Sequence, residues 1–293
     1  MKNSSFVETS VYKVSKIIYQ YSYNGSEINA TNADSLYILI SENGLVYAIT
    51  DIHKNCLLLK EYIKNADQSI HNLMSEVLYE VVLKYHFKTV IAGITNNRLS
   101  IVPENLFRPD STRSYLENIV PVWNNDHIEY FRFKNQSARL VYAFDKNLIS
   151  NLIYAWPGIT LYHSIACYIS VINTILPSLE GAQHVFVNAM EANMYIAIFQ
   201  NNELIFANAY EFHTPEDFLY HIMLHYQEFK LDPLIVPLHF TGKITIGSKL
   251  MNTILRYVKN IDFISNTWNG IASLNEVPDH VYFDLFALGA CES

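Results

Sequence analysis

The sequence is poor in the residues that mark linkers, loops and disulfide frameworks. Its 293 residues include 9 glycines, 9 prolines and 3 cysteines, and only 16% of them are charged. So little glycine and proline excludes a linker-rich or collagen-like chain, and a hydrophobic fraction of 50% excludes a disordered one. A chain of this length can bury a large core in one or two domains. We therefore expect a folded, globular protein.

The scarcity of cysteine and the first residues of the chain bear on its compartment. Cys56, Cys167 and Cys291 are far apart and odd in number, and none forms a Cys-x-x-Cys pair. We expect buried, reduced thiols, because neither a disulfide framework nor a zinc site has this spacing. Residues 1–8 lack the basic cluster and apolar core of a secretory signal. Together these features predict a cytoplasmic protein.

Basic residues are in deficit, chiefly in the second part of the chain. The net charge is −8, and residues 179–293 contain 5 basic against 13 acidic side chains, whereas residues 1–178 contain 15 of each. Because an acidic chain repels polyanions, we expect no nucleic-acid partner. Residues 130–134 and Arg139 do interleave aromatic and basic side chains, as a single-strand binding surface does. A strand with its cations on the outer face explains that alternation equally well.

Residues 147–179 contain no charged side chain, which invites comparison with a transmembrane helix. Pro157-Gly158 divides this stretch into pieces too short to cross about 30 Å of hydrocarbon. We expect no membrane insertion, and instead a helix buried between two domains.

What the sequence does contain is an ordered alternation of strand and helix patterns. The first half predicts three strands, an amphipathic helix and a fourth strand, at residues 36–40, 45–49, 56–62, 70–85 and 88–94. Asn43-Gly44 separates the first two strands, and we expect these two residues to supply the positive φ angles of a tight hairpin. The resulting order is βββαβ.

The second half repeats this order. Its pattern predicts strands, a helix and a last strand at residues 185–187, 194–199, 204–206, 218–226 and 234–240. The first hairpin turns, at residues 44 and 193, and the strand-ending glycines, Gly93 and Gly242, are both separated by 149 positions, and a constant offset is what an internal duplication predicts. Between the units we expect a hairpin near 126–145 and two helices, at 145–156 and 165–176. The predicted domains are 1–178, with the inserted hairpin, and 179–293.

Tandem βββαβ units resemble the duplicated ribonuclease-H-like domains of the actin, heat-shock-chaperone and sugar-kinase superfamily. The resemblance predicts an α/β protein with an actin-like ATPase fold. The second half is also similar to a bacterial domain family of unknown function with that fold. The residues that carry this second resemblance are Leu204, Asn208, Phe212, Asp217-Phe218-Leu219-Tyr220, Leu231, Gly242, Ser248 and Leu250.

The resemblance implies an ATP site between the domains, where two hairpin turns approach phosphate and glycines after a later strand admit adenosine. Glu42-Asn43-Gly44 stands where the superfamily has Asp-x-Gly, and Thr241-Gly242 keeps one glycine of a pair. The second turn, at 188–193, has neither Asp nor Gly, and Glu191 within it would repel phosphate unless a metal intervened. The expected site is therefore degenerate. Its candidate cofactor-binding residues, in the interdomain cleft, are Glu42, Asn43, Gly44, Thr241 and Gly242.

Two further groups resemble metal or phosphate sites only in part. Asp217, His221 and His225 are spaced four apart on one predicted helix, but the general base of a metalloprotease is missing. We expect Asp217 to begin this helix and the histidines to face solvent. Gly242-Lys243 lacks the earlier glycine and the following hydroxyl residue of a phosphate-binding loop.

Nucleophilic catalysis finds no better support. His163-Ser164 is followed by Cys167, but no Gly-x-Ser-x-Gly elbow surrounds the serine, and Cys167 lies in an apolar helix. We expect no catalytic residue and no metal.

The sequence thus predicts a non-catalytic protein-interaction or scaffold module with degenerate nucleotide motifs. Its 21 tyrosines and 16 phenylalanines suit interfaces with an unidentified protein partner or with a second copy of the chain. The alternative is a divergent ATP-binding switch or phosphotransferase that uses Mg-ATP. The first interpretation needs no cofactor.

Overall fold

Two mixed sheets and one small antiparallel sheet organise the protein in a computed structural model that describes residues 16–22, 28–265 and 277–291. The strands are β1 (Lys16–Ser22), β2 (Ser35–Ile40), β3 (Gly44–Thr50), β4 (Cys56–Ile63), β5 (Thr89–Ile94), β6 (Leu99–Pro103), β7 (Asp126–Arg132), β8 (Ala138–Asp145), β9 (Thr160–His163), β10 (Gln183–Ala189), β11 (Asn193–Gln200), β12 (Glu203–Glu211), β13 (Leu238–Gly242) and β14 (Ile261–Phe263). The helices are α1 (Ile70–Val77), α2 (Ser114–Glu117), α3 (Lys146–Ala155), α4 (Ser164–Ile175), α5 (Pro215–Glu228), α6 (Lys249–Ile254) and α7 (Phe283–Ala287). The absence of a signal pattern concerns residues 1–8, which lie outside the described residues.

The two large sheets share the order of five strands, and the first sheet has β1 as an additional edge strand. The first runs β1-β4-β3-β2-β5-β9 and the second β12-β11-β10-β13-β14. In each, three antiparallel strands form a meander, and the next strand pairs in parallel with the first strand of that meander, β5 with β2 and β13 with β10. The predicted α/β fold class is confirmed. Descent of the two units from a duplication, and the division after Ser178, stay predictions.

The predicted hairpin geometry at Asn43-Gly44 is wrong. Neither residue is among the described residues with positive φ. The loop runs over residues 41–44 and is closed by a bond from the Ser41 N–H to the Gly44 carbonyl at 2.9 Å. A loop of this length does not need two left-handed residues in succession. The two-residue turn of this kind lies instead at Asn201 and Asn202, with φ of 52° and 65°.

The predicted helix over 70–85 is two pieces. α1 ends at Val77, and a short 3₁₀ turn covers Val81–Lys84. Between them, Glu80 has extended backbone. Its carboxylate accepts hydrogen bonds from the Tyr47 hydroxyl, at 2.7 Å, and from Tyr62. The helix is interrupted where this side chain reaches across to the sheet.

The last strand of the second half begins later than predicted. Leu234 and Ile235 are exposed, and the strand starts at Leu238. The Val236 N–H bonds to the Asp232 carbonyl at 2.8 Å, so residues 232–236 form a turn. The apolar run that predicted a strand over 234–240 therefore begins in an exposed turn and becomes a buried strand only from Leu238.

Side chains of the second sheet alternate between two apolar layers, as strand geometry requires. One face packs on α5 and α6. The other face packs on α4, whose residues Tyr168, Ile169 and Ile172 share a core cluster with Phe186 and Tyr195. The predicted helix at 165–176 is thus present and buried. Among the described residues, no helix has the length and apolar character needed to cross a membrane.

The last described segment returns to the first sheet. Leu285 and Phe286 pack on a cluster with β2 and β3. A disulfide joins Cys167 of α4 to Cys291, with the two Cα atoms 5.4 Å apart. The prediction that all three thiols are reduced is therefore wrong for this pair, which sequence spacing could not identify because the two cysteines are 124 positions apart. Cys56 is free and buried.

Candidate functional site

Two hairpin turns line one narrow cleft between the large sheets. The turn at residues 41–44 belongs to the first sheet and the turn at residues 190–192 to the second. The ends of β4 and β13 complete its walls, and α7 contributes Asp284. The cavity volume is about 60 Å³.

Three of the five predicted nucleotide-site residues line this cleft. Asn43 and Gly44 do so from the first turn, and Gly242 from the end of β13. Thr241 is fully buried beneath the surface, and its hydroxyl donates to Asn188 Oδ1 at 2.8 Å. Glu42 lies in the wall of a different cavity. The predicted site residues of the first turn therefore line two different cavities, Asn43 and Gly44 the cleft and Glu42 the other one.

Packing explains the two glycines of the cleft. A Cβ on Gly44 would lie 2.1 Å from the Tyr62 carbonyl oxygen, and a Cβ on Gly242 would lie 2.1 Å from the Ala189 carbonyl oxygen. Gly242 also has a φ of +81°, which side chains disfavour. The close approach lets the Lys243 N–H donate to the Ala189 carbonyl at 2.6 Å. Glycine at 242 thus places Lys243 at the cleft.

The Lys243 side chain bridges the cleft. Its Nζ donates to Glu61, at the end of β4, and to Glu191 of the second turn, the latter at 3.0 Å. The Tyr282 hydroxyl donates to the second oxygen of Glu61 at 2.9 Å. Burial alone would lower the pKa of Lys243, but the two carboxylates outweigh burial and raise this pKa above its usual value. Lys243 is therefore a fixed positive charge that ties one sheet to the other.

A buried carboxylate forms the floor of the cleft. Asp284 accepts from the Asn188 side-chain amide at 3.1 Å and from the Leu285 N–H at 2.9 Å. Burial raises the pKa of Asp284 to about 6, although these hydrogen bonds and the Lys243 charge act in the opposite direction. The floor is thus mostly ionised at neutral pH.

A nucleotide meets two obstacles in this cleft. The carboxylates of Glu61, Glu191 and Asp284 outnumber the ammonium of Lys243, so the local charge disfavours phosphate unless a cation such as Mg²⁺ offsets it. Small-molecule sites usually enclose about 300–1,000 Å³. The cleft encloses about 60 Å³.

Sequence reasoning missed most of this cluster. Glu61, Tyr282 and Asp284 carry no motif, and Lys243 attracts attention only as part of an incomplete phosphate-binding loop. Lys243 and Glu61 are 182 positions apart, far beyond any spacing rule for one element. The one available signal was the glycine before Lys243, which marks a place of close backbone approach.

The histidine stripe on α5 is structural. Asp217 Oδ2 accepts from the Thr214 N–H at 3.0 Å and completes a capping box. His221 stacks on Tyr210 at 4.4 Å, and His225 hydrogen-bonds to the Tyr210 hydroxyl at 2.8 Å. His225 is buried, so the prediction that both histidines face solvent is wrong, because Tyr210 of β12 lies against them. In the described part of the chain, no group of three or more His, Cys, Asp and Glu side chains could hold a metal.

The other sequence candidates also have structural partners. His163 Nε2 hydrogen-bonds to the Asn96 carbonyl at 3.2 Å, whereas the Ser164 hydroxyl hydrogen-bonds to the Thr95 hydroxyl at 2.8 Å and to the Tyr195 hydroxyl. Arg139 makes two hydrogen bonds of 2.7 Å to Glu104, so its charge is neutralised within the chain. Arg139 is therefore paired within the chain, and His163 is not paired with Ser164.

Solved structures share this fold. A Bacteroides thetaiotaomicron VPI-5482 protein with an actin-like ATPase fold and unknown function matches with a TM-score of 0.77 and 20% identity, over 91% of this chain and 100% of that one. A chain of the PilM-PilN type IV pilus biogenesis complex matches with a TM-score of 0.59 and 11% identity, over 89% of this chain and 98% of that one. At these identities the likeness shows the fold alone, and the fold is actin-like, as the sequence resemblance predicts.

The family comparison is more specific than the structural one. No curated protein sequence matches the chain. The model of a family described as a protein of unknown function, DUF3822, matches residues 24–261. The chain belongs to the DUF3822 family.

Proposed function

We propose that this chain is a non-catalytic actin-like protein that binds another protein or a second copy of itself, and that an ion cluster replaces nucleotide in its cleft. The observation that carries the proposal is the Lys243 ammonium held between Glu61 and Glu191. This ammonium lies in a cleft of about 60 Å³, where a phosphate chain would need both space and positive charge.

The charges around Lys243 support a structural role. A lysine that binds phosphate must have its ammonium available, whereas this one is already shared by two carboxylates. Glu61 is in turn hydrogen-bonded by Tyr282, so the cluster is satisfied without a ligand. Opening the cleft would break these contacts and leave partly buried charges unpaired, which is costly.

Partner binding draws support from surface composition and from a protein of the same fold. Tyr79 and Tyr154 are 77% and 91% exposed, and aromatic side chains of this kind anchor interfaces. PilM forms a complex with PilN in type IV pilus biogenesis. We extend that mode of action, assembly with a partner, to this chain as part of the proposal.

Thermal unfolding with and without 5 mM Mg-ATP or Mg-ADP tests the proposal. A ligand at 100 times its dissociation constant adds about 2.7 kcal/mol to the stability of the native state. We expect no shift in Tm for the wild-type protein.

We expect Lys243→Met to lower stability by about 1–3 kcal/mol, because two carboxylates lose a partner. The matched control Lys259→Met removes an exposed lysine and should cost less than about 0.5 kcal/mol. Light scattering of the same samples reports self-association.

A second function, the divergent nucleotide switch, is favoured by one observation. Asn43, Gly44 and Gly242 come from distant parts of the chain and meet in the same cleft. In an opened form, Lys243 would be free to pair with phosphate. A rise in the Tm of the wild-type protein with nucleotide, abolished by Lys243→Met and kept by Lys259→Met, would overturn the non-catalytic proposal in favour of this switch.

A further inference from the structure

A second cavity, larger than the cleft, lies beside the first hairpin turn. Its volume is about 360 Å³, within the range of about 300–1,000 Å³ that small-molecule sites occupy. The ends of β2 and β5, the first turns of α1 and α3, and the loop before β7 form its walls. We call it the Trp123 cavity, after the aromatic side chain at its wall. It shares no residue with the Lys243 cluster, which consists of Lys243, Glu61, Glu191 and Tyr282.

The topology of the first sheet places this cavity where ligands bind in open α/β sheets. β2 and β5 are parallel neighbours, and the cavity lies beyond their carboxyl ends. From β2 the chain continues to β3 on one side, whereas from β5 it continues through the small sheet of β6, β7 and β8 to β9 on the other side. Where the connections of two parallel strands diverge, a crevice opens, and ligands bind there as a general rule.

One side of the cavity is apolar. Ile40 and Ile94, at the strand ends, and Leu148 of α3 are buried side chains that line it. Trp123 is 57% exposed and adds an aromatic surface. The guanidinium of Arg98 lies 4.6 Å from the Trp123 ring centroid and covers part of it. This lining suits a short hydrocarbon stem.

The polar side of the cavity is acidic. Asp126 is buried and neutralises Arg98 through a bond of 2.6 Å, so this pair adds no net charge. Glu42 is exposed and makes no hydrogen bond or ion pair with the described residues. Asp145 has one oxygen on the Asn147 N–H, at 2.8 Å, and the other 3.2 Å from His71 Nε2. Glu42 therefore has no charged partner among the described residues, and Asp145 has none other than His71.

We propose that the Trp123 cavity binds an organic cation, a primary ammonium or guanidinium group on a short apolar stem. Glu42 is the anchor for the cation, because its carboxylate is free, and Asp145 adds a second negative charge. The stem lies against Ile94 and Leu148, next to Trp123. The inference does not depend on the role of the Lys243 cleft, since Glu42 lies outside that cleft.

Three probes of equal length test the ligand class: n-pentylammonium, pentanoate and 1-pentanol, each at 10 mM and equal ionic strength. We expect pentylammonium to raise the Tm by about 2–5 °C at ten times its dissociation constant, and the other two probes to have no such effect. Glu42→Gln should remove most of this rise in Tm. Glu203→Gln, the same change at an exposed site on the second sheet, should leave it intact.

Nuclear magnetic resonance gives the position of the bound probe. The chain has three tryptophans, and Trp123→Phe identifies the indole N–H signal of Trp123. We expect pentylammonium to shift this signal and leave that of Trp156 in place. A rise in Tm with pentanoate instead of pentylammonium would overturn the charge assignment. A response equal in Glu42→Gln and wild type, or no response of the Trp123 signal, would overturn the site.

Discussion

At the scale of single residues, Gly242 shows how one backbone position builds the cleft. Its φ is +81°, and a Cβ added at this position would lie 2.1 Å from the Ala189 carbonyl oxygen, so angle and contact both forbid a side chain. Gly247 has a similar φ, +80°, but nothing within 4 Å of its Cβ position. These two glycines therefore separate the cost of the backbone angle from the cost of the contact.

We expect Gly242→Ala to destabilise the protein by at least about 3 kcal/mol, because angle and contact costs add. Gly247→Ala should cost only about 1–2 kcal/mol, since it meets the left-handed angle alone. Urea unfolding of both variants measures the difference. Equal losses would show that the Ala189 contact relaxes freely and does not hold Lys243 in place.

The residue scale is also where prediction from sequence is weakest. Asn43, Gly44 and Gly242 could be assigned to one cleft because turns and glycines leave local signals. Glu61 and Asp284 could not, since a buried carboxylate has no local pattern and its partners come from distant positions. Side-chain direction adds a second difficulty, because Glu42 and Asn43 are neighbours in sequence yet line different cavities.

At the scale of elements, the Cys167–Cys291 disulfide is a contact that the structure shows and that the spacing of cysteines in the sequence does not predict. It joins α4 to Cys291, at the end of the segment that contains α7, and this segment also carries Tyr282 and Asp284 into the cleft. A bond that closes a loop over a separation of 124 residues restricts the unfolded chain strongly. The disulfide therefore bears on the stability of the whole segment.

We expect a reductant such as dithiothreitol to lower the stability of the wild-type protein by about 2–5 kcal/mol. Cys291→Ser should be equally unstable and insensitive to reductant, whereas Cys56→Ser should keep the sensitivity. Titration of thiols in denaturant should find one thiol per chain before reduction, that of Cys56, and all three cysteines after it. Three thiols before reduction would contradict the bond.

Helices and strands with a strong apolar periodicity are predictable from the sequence. Strands that form only because they pair with distant parts of the chain are not. The three strands of each meander, α4 and α5 follow from alternation and helical spacing. Four strands, β1, β6, β9 and β14, have no counterpart in the predicted pattern. Three of them, β1, β9 and β14, are edge strands of the two large sheets, and an edge strand needs only one partner and carries a weaker apolar pattern.

At the scale of the whole molecule, the fold was predictable because the same order of strands and helix occurs twice. Each unit supports the interpretation of the other, and together they point to the actin-like fold that the solved structures share. The way the sheets are joined was not predictable. It depends on the Lys243 cluster and on a core that runs from Ile38 of β2 to Phe199 of β11.

Buried histidines make the stability of this whole assembly depend on pH. Burial lowers the pKa of His163 to about 3 and that of His239 to about 4. In the unfolded chain both titrate near their usual value of about 6.5. The unfolded state therefore binds more protons below that pH, and stability, fully present above it, is lost as pH falls from about 6.5 toward the folded values. Asp284 acts in the opposite direction, because its raised pKa, about 6, makes the folded state bind a proton more tightly.

We expect the free energy of unfolding to fall between pH 7.5 and pH 5. Each histidine contributes a loss of roughly 2 kcal/mol at pH 5, and Asp284 offsets about 1.4 kcal/mol, which leaves a net loss of roughly 2–3 kcal/mol from these groups. His239→Phe keeps an aromatic ring against Phe186 and should remove about half of the histidine effect. His53→Phe, at an exposed histidine, should leave the pH dependence unchanged. Urea unfolding at the two pH values decides the matter. If His239→Phe and His53→Phe lose the same stability between pH 7.5 and pH 5, protonation of buried His239 does not drive the acid sensitivity of the fold.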